Sequence, residues 1–335
     1  MELASFKPFF PDQVGKKNSL VLQEISNNKG VFSGLIGLCT VGALQEKLIL
    51  PHEKVLQARF SSIADAFLKS GVINKPVLLS YPEHPAVGSL VQDWSRVHEC
   101  SHAFRENDTS YKYWVIDDLD KVAELINVFR EVPLCYIADG HHRMGAIRHL
   151  YESNLVPNAQ MLSALFSFKH LRINPYHRLV VLRQPAADVL AKLATHLEPL
   201  AKQKSVGELA THTLAIQHRQ QITHFRWRSA ALSSYASDAL DAQLFDEIIL
   251  RTIFQIDDAS ASDRVRYFPD DQSVAMAEEL SSREDTMGFY LPAVELPQFM
   301  NSCEQGIMMP PKSTYFEPRL MSGHLYHKFV NDAQD

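Results

Sequence analysis

Residues 137–149 read Ile-Ala-Asp-Gly-His-His-Arg-Met-Gly-Ala-Ile-Arg-His, so Asp139, Gly140, His141, His142 and Arg143 stand in five consecutive positions. The apolar run 133–138 predicts a strand and the residues after 140 predict a helix, which puts all five at a helix start. A helix start leaves backbone N–H groups unpaired and carries the positive end of the dipole, so a phosphate finds donors there without reorganisation. Gly140 would let a ligand approach the backbone closely, and Arg143 could add a bidentate grip. Asp139 is out of place beside a phosphate unless it binds a metal, orients a nucleophile as a base, or caps the helix. A purely structural turn needs only the Asp-Gly pair; two histidines and an arginine stacked behind it point to function.

Three other places hold residues that could do chemistry. The run Met309-Pro310-Pro311-Lys312-Ser313-Thr314-Tyr315-Phe316-Glu317-Pro318-Arg319-Leu320 has three prolines that predict a rigid, extended path. Along it, Lys312, Ser313 and Thr314 offer a cation and two hydroxyls to a phosphate, while Tyr315 and Phe316 are suited to filling a groove. In Leu50-Pro51-His52-Glu53-Lys54, His52 reads as a partner of a backbone carbonyl or as a metal ligand, and Glu53 as a solvated loop residue or a catalytic carboxylate. His177 and Arg178 read as a second basic edge facing the same cleft, or as a solvated strand start.

The elements that must hold these residues alternate along the chain. Strands are expected at 32–41, 76–80, 114–116, 133–138, 160–168, 179–182, 223–228 and 264–268. Helices are expected at 55–70, 186–196 and 242–254, and from an Asp117-Asp118 cap through 130. This pattern predicts a mixed α/β (α+β) fold. The division is expected near 183, giving a ligand-binding core over 1–182 and a C-terminal α/β lobe over 183–335 whose Pro-Lys-Ser-Thr strap packs back on the core.

At 335 residues, with 46% hydrophobic and 21% charged residues, the chain is large enough for a substantial core. Its formal net charge of -6 argues against broad nucleic-acid binding, which needs clustered positive charge. Cys39, Cys100, Cys135 and Cys303 form no C-x-x-C pair, so neither a zinc knuckle nor a disulfide framework is indicated. The longest apolar stretch, 31–44, is too short to span a bilayer, and no membrane association is expected. A cytoplasmic protein is the expectation; a protein exported without a cleaved signal would read the same way.

Five blocks occur in order: Phe6-Lys7-Pro8-Phe9, Leu50-Pro51-His52-Glu53-Lys54, Ala138-Asp139-Gly140-His141-His142-Arg143, Pro175-Tyr176-His177-Arg178 and Pro311-Lys312-Ser313-Thr314-Tyr315-Phe316. Together they resemble the signature blocks of a bacterial and archaeal family known as domain of unknown function 1015 (DUF1015). The resemblance covers nearly the whole chain. It departs from the family where a proline-tyrosine segment is missing from the first third, and where Met144-Gly145 replaces a Tyr-Glu pair. The family's central block is in turn similar to the nucleotide-binding turn of the ParB and sulfiredoxin superfamily. That superfamily includes free serine kinases, ATP-using sulfiredoxins and CTP-binding partition proteins, and family genes often lie near serine-biosynthesis genes.

The resemblance implies a ParB/sulfiredoxin-like core in which Gly140, His141, His142 and Arg143 bind nucleotide phosphates and Asp139 is the preceding acid. Glu53 is then the expected acceptor-side catalytic carboxylate, and Asp139 a second catalytic group that binds Mg²⁺. Lys312, Ser313 and Thr314 are expected to close on the same phosphates, with His52, His177 and Arg178 at the edge. The leading expectation is an ATP- or ADP-dependent phosphoryl transferase acting on a small hydroxylated, serine-like acceptor, with Mg²⁺ bridging the phosphates. A nucleotide-binding switch with little or no turnover is the alternative, and a ParB-like nucleic-acid or nuclease module the third. The nucleotide base, the acceptor and the oligomeric state are not specified by the sequence.

Overall fold

The strand Gly30–Thr40 is almost wholly apolar, and its residues from Leu35 to Cys39 are buried whichever face they point to. A run of this kind belongs in the middle of a sheet, and its neighbours on both sides confirm that position. The computed structural model describes residues 1, 3–201, 205–236 and 239–328. The chain divides into two units: Met1–Arg172 together with Pro318–Asp335, and Ile173–Glu317.

The first unit contains strands β1 (Leu3–Ala4), β2 (Leu20–Asn27), β3 (Gly30–Thr40), β4 (Ile49–Leu50), β5 (Val72–Ile73), β6 (Val77–Tyr81), β7 (His102–Glu106), β8 (Thr109–Ile116), β9 (Cys135–Asp139) and β10 (Gln160–Ser167). Its helices are α1 (Val41–Gln45), α2 (Gln57–Ser70), α3 (Pro85–Val97), α4 (Leu119–Arg130) and α5 (His141–Glu152). Nine strands form one sheet in the order β4-β9-β6-β10-β3-β2-β8-β7, with β1 also on β3. The β4/β9 and β6/β10 pairs are parallel and the β6/β9 pair antiparallel, so the sheet is mixed.

Local chemistry accounts for several of these elements. The Asp118 side chain accepts from the Lys121 N–H at 3.0 Å and starts α4. Helix α2 ends at Gly71, whose φ of 65° suits a residue without a Cβ.

The second unit is built on a six-stranded antiparallel sheet in the order Leu197–Pro199, Gln221–Trp227, Thr213–His218, Thr286–Tyr290, Tyr176–Val181, Val265–Pro269. Its larger apolar cluster joins Val180, Leu214 and Phe289 of the sheet to Val189, Phe245 and Ile249. A second cluster joins Leu179 and Tyr290 to Met276 and Leu280 of the helix Ser273–Ser282. The helix expected over 242–254 is a short α-helical turn, Asp241–Leu244, that continues as a π-helix, Phe245–Ile253.

The fold is mixed α/β. The division between units falls before the strand Tyr176–Val181, where a boundary at 183 would place it after, because that strand pairs with Val265–Pro269 and Thr286–Tyr290 of its own unit. The segment from Pro318 returns to the first unit, so that unit is discontinuous in sequence. Among the described residues, no helix is long and apolar enough to cross a membrane.

Candidate functional site

Asp139 is the last residue of β9, and the strand is irregular where it arrives. Leu78 is opposite Asp139 while Leu79 is opposite Ile137, so Ala138 is an extra residue. A bulge of this kind bends the strand and re-aims the side chain beside it. Gly140 follows with φ 100° and ψ 26°, and α5 begins at His141. The backbone angle favours glycine there, and a Cβ at position 140 would stand 2.7 Å from Arg143 Nη2 and displace that guanidinium. The group that comes close to Gly140 is thus the Arg143 guanidinium itself.

Arg143 Nη2 donates to Asp139 Oδ2 at 2.7 Å, and its Nη1 donates to the carbonyl oxygens of Lys75, at 3.1 Å, and Pro76. From the returning segment, Arg319 Nη1 lies 3.4 Å from Asp139 Oδ1. Burial alone would raise the Asp139 carboxyl; Arg143, Arg319 and Lys75 outweigh it and hold the group below the ordinary carboxylate value. Burial, reinforced by repulsion from Arg143 and Arg319, lowers the Lys75 ammonium. Three cations thus converge on one carboxylate at a helix amino terminus, in a chain whose net charge is -6. An anion placed there would relieve their mutual repulsion. His142, lowered by burial and then by Arg59, adds a buried Nδ1 that has no hydrogen-bond partner among the described residues.

On the other flank of the α5 start, the His52 backbone N–H donates to His141 Nε2 at 3.3 Å, and the two rings meet edge to face. An accepting Nε2 leaves the proton on Nδ1, which faces Glu53 Oε2 at 3.9 Å. Burial holds His141 well below its ordinary value, with His52, His142 and Arg143 acting in the same direction. Burial also brings His52 down to about 4. Both rings are therefore neutral at pH 7, and Glu53 faces the N–H side of a neutral imidazole.

Beside them lies a cavity of about 320 Å³. Its α5 wall is His141, Met144, Gly145, Arg148, His149 and Glu152, spaced as one helix face, and Leu44, Pro51, Val55, Phe60 and Ile137 complete the lining.

A family model described as "Protein of unknown function (DUF1015)" matches residues 14–277, which include every residue of this site except Arg319. The chain belongs to the DUF1015 family. No curated protein matches it. Solved structures to which this DUF1015 member is similar include SbnI with a C-terminal truncation from Staphylococcus aureus, at 11% identity and a TM-score of 0.46, covering 84% of this chain and 82% of that one. A free serine kinase in complex with AMP is similar at 13% identity and a TM-score of 0.44, covering 85% and 90%. A conserved hypothetical protein from Pyrococcus furiosus is similar at 12% identity and a TM-score of 0.43, covering 85% and 93%.

Within this DUF1015 chain, Asp139, Gly140, His141, His142, Arg143, His52 and Glu53 all belong to the first unit, at or beside the start of α5. His177, Arg178, Lys312, Ser313 and Thr314 belong to the second. There, His177 and Arg178 are interior residues of the strand Tyr176–Val181, 0% and 1% exposed, so neither forms a solvated basic edge. His177 Nε2 lies 3.3 Å from Asp270 Oδ1. Arg178 donates to the Tyr176 carbonyl and, at 3.2 Å, to the Lys312 carbonyl, and its guanidinium lies over the rings of Phe245 and Tyr267. Lys312 breaks the expected extended path with φ 59°, and its ammonium sits over Tyr176 at 5.1 Å. Ser313 Oγ donates to the Pro310 carbonyl at 2.7 Å, and Thr314 is buried.

The donor set does not fit Mg²⁺ at Asp139. Both carboxylate oxygens face guanidinium groups, and a dication brought there would meet Arg143 and Arg319 at short range, with the Lys75 charge adding to the repulsion. Among the described residues, no cluster of three or more His, Cys, Asp or Glu is arranged to hold a metal. Lys75 and Arg319 were not among the residues the sequence singled out. The Arg319 signal was its place at the end of the proline-flanked run, and Lys75 stands in an unremarkable Asn-Lys-Pro turn.

Proposed function

We propose that the start of α5 binds the phosphates of ATP or ADP and that the protein transfers a phosphoryl group to the hydroxyl of a small-molecule acceptor. The observation that carries this reading is the convergence of Arg143, Arg319 and Lys75 on the single carboxylate of Asp139 at a helix amino terminus. A phosphate there takes backbone N–H donors from α5 and one or more guanidinium contacts. Asp139 positions the two arginines. Glu53 receives the acceptor proton as the new O–P bond forms and the bridging P–O bond to the departing nucleotide breaks. Neutral His141, held through Nε2 by the His52 N–H, keeps a donor facing Glu53 and so orients the base.

Titration of ADP and of sodium tripolyphosphate into the full chain, followed by calorimetry, tests the phosphate site. The expected result is mutually competitive binding that weakens as salt rises. No heat with either ligand overturns the reading.

A second reading, nucleotide binding with little or no turnover, is favoured by one observation. The groups around Asp139 do not fit the magnesium ion that usually neutralises charge in phosphoryl transfer. Release of ADP from bound ATP in the presence of candidate alcohols separates the two.

A further inference from the structure

We infer that the cavity beside α5 is the acceptor pocket, and that it takes an alcohol with an apolar alkyl or aryl body and not a compact zwitterion such as serine. This rests on the transferase reading above. His141, the first residue of α5, lines the cavity, and its Nδ1 stands 3.9 Å from the Glu53 carboxylate, so an alcohol that brings its hydroxyl to the His141–Glu53 pair runs its carbon skeleton along the α5 wall. The walls that skeleton meets are Val55, Phe60, Ile137 and Met144.

The charged pair of the lining, Arg148 and Glu152, lies farther along the same helix face. Arg148 is seven residues beyond His141, about 10 Å at the rise of an α-helix, and its Nε already donates to Glu152 at 2.7 Å. A serine-like molecule carries its ammonium and carboxylate next to its hydroxyl. With the hydroxyl beside Glu53, both charges lie nearer the apolar residues Val55, Phe60, Ile137 and Met144 than the Arg148–Glu152 pair, and their transfer from water is poorly repaid there. An apolar alcohol leaves no group unsatisfied there, and its body loses contact with water.

Gly145 keeps the space open. A Cβ at that position would stand 2.9 Å from Val55 Cγ1, so any side chain at 145 enters the cavity.

The test uses the full chain and 2-phenylethanol as the probe, with L-serine as the competitor. Saturation-transfer NMR without nucleotide should detect the bound phenyl ring, and L-serine at equal concentration should not displace it. Gly145→Leu, which fills the cavity, and Phe60→Ala, which removes a wall, should each weaken probe binding roughly tenfold or more. Phe60→Ala keeps the test decisive should Gly145→Leu fail to fold. Probe binding unchanged in the folded variants, or displacement by L-serine, overturns the pocket assignment.

With ATP present, 2-phenylethanol should stimulate ADP release roughly tenfold more than L-serine does, and the opposite preference overturns the acceptor class. Because the NMR arm needs no nucleotide, its outcome is separate from the ADP titration. A chain that binds the alcohol but not ADP keeps the pocket and loses the transferase reading.

Discussion

The Arg143 guanidinium is folded back over Gly140 and held 2.7 Å from the Asp139 carboxylate, one turn earlier along the chain. The same guanidinium also satisfies the Lys75 and Pro76 carbonyls. Arg143 thus has a structural duty in addition to any ligand contact. Arg319, which approaches the other Asp139 oxygen and is partly exposed, is the cleaner probe of the anion site.

Arg319→Ala should weaken ADP binding by about 1.5–3 kcal/mol, the scale of a hydrogen bond to a charged group. Its melting temperature should change little. Arg143→Ala should weaken binding and also lower the melting temperature, since it strips partners from Asp139 and two main-chain carbonyls. Calorimetry and thermal denaturation of both variants check this, and equal ADP affinity in wild type and Arg319→Ala contradicts it.

Glu53→Gln keeps the shape of the side chain and removes its ability to accept a proton. Turnover should fall by about 10²-fold or more, with ADP affinity nearly unchanged. A parallel loss of ADP affinity in a titration would instead place Glu53 among the groups that hold the nucleotide.

The buried histidines should make the protein acid-labile. The folded state holds His52 at about 4, against 6.5 for an unperturbed histidine, and holds His141 well below that ordinary value too. A group whose folded pKa is depressed adds stability that is fully present above its unfolded pKa and is lost as pH falls through its folded one. Stability should therefore decline from about pH 6.5 towards pH 4, with His52 alone contributing about 3 kcal/mol across that window. Denaturant melts at steps of pH should show a shallower decline in His52→Gln; an unchanged slope assigns the effect to other groups.

Arg178→Met should destabilise without touching the anion site. It removes the guanidinium that serves the Tyr176 and Lys312 carbonyls and lies near Asp246, whose carboxyl is raised by burial and lowered by Arg178. Removing one partner from such a buried arrangement costs about 3–5 kcal/mol. Chemical denaturation should show that loss, while ADP affinity of the folded fraction stays at the wild-type value.

The sequence alone determined the strand-to-helix junction at Asp139-Gly140, because its causes are local. An apolar run ends at a glycine that tolerates positive φ, and the residues beyond it repeat with helical spacing. It also determined the Asp118 cap and the central strand over Gly30–Thr40. The strand Leu20–Asn27 and the edge strand His102–Glu106 were not legible, since their polar positions are reconciled with a sheet only by the neighbours they pair with.

Tertiary structure alone decided which charges meet. Arg319 reaches Asp139 from 180 residues away because the chain returns to the first unit, and no local pattern encodes that return. The same holds for His177 and Arg178, which look like an exposed basic pair in sequence. They are buried because strands enclose them on both sides, with Phe245 of the π-helix against Arg178 and Tyr290 against His177. Periodicity says that a strand forms; what covers its faces is settled by residues far along the chain, and burial in turn decides whether a cation binds a ligand or supports the fold.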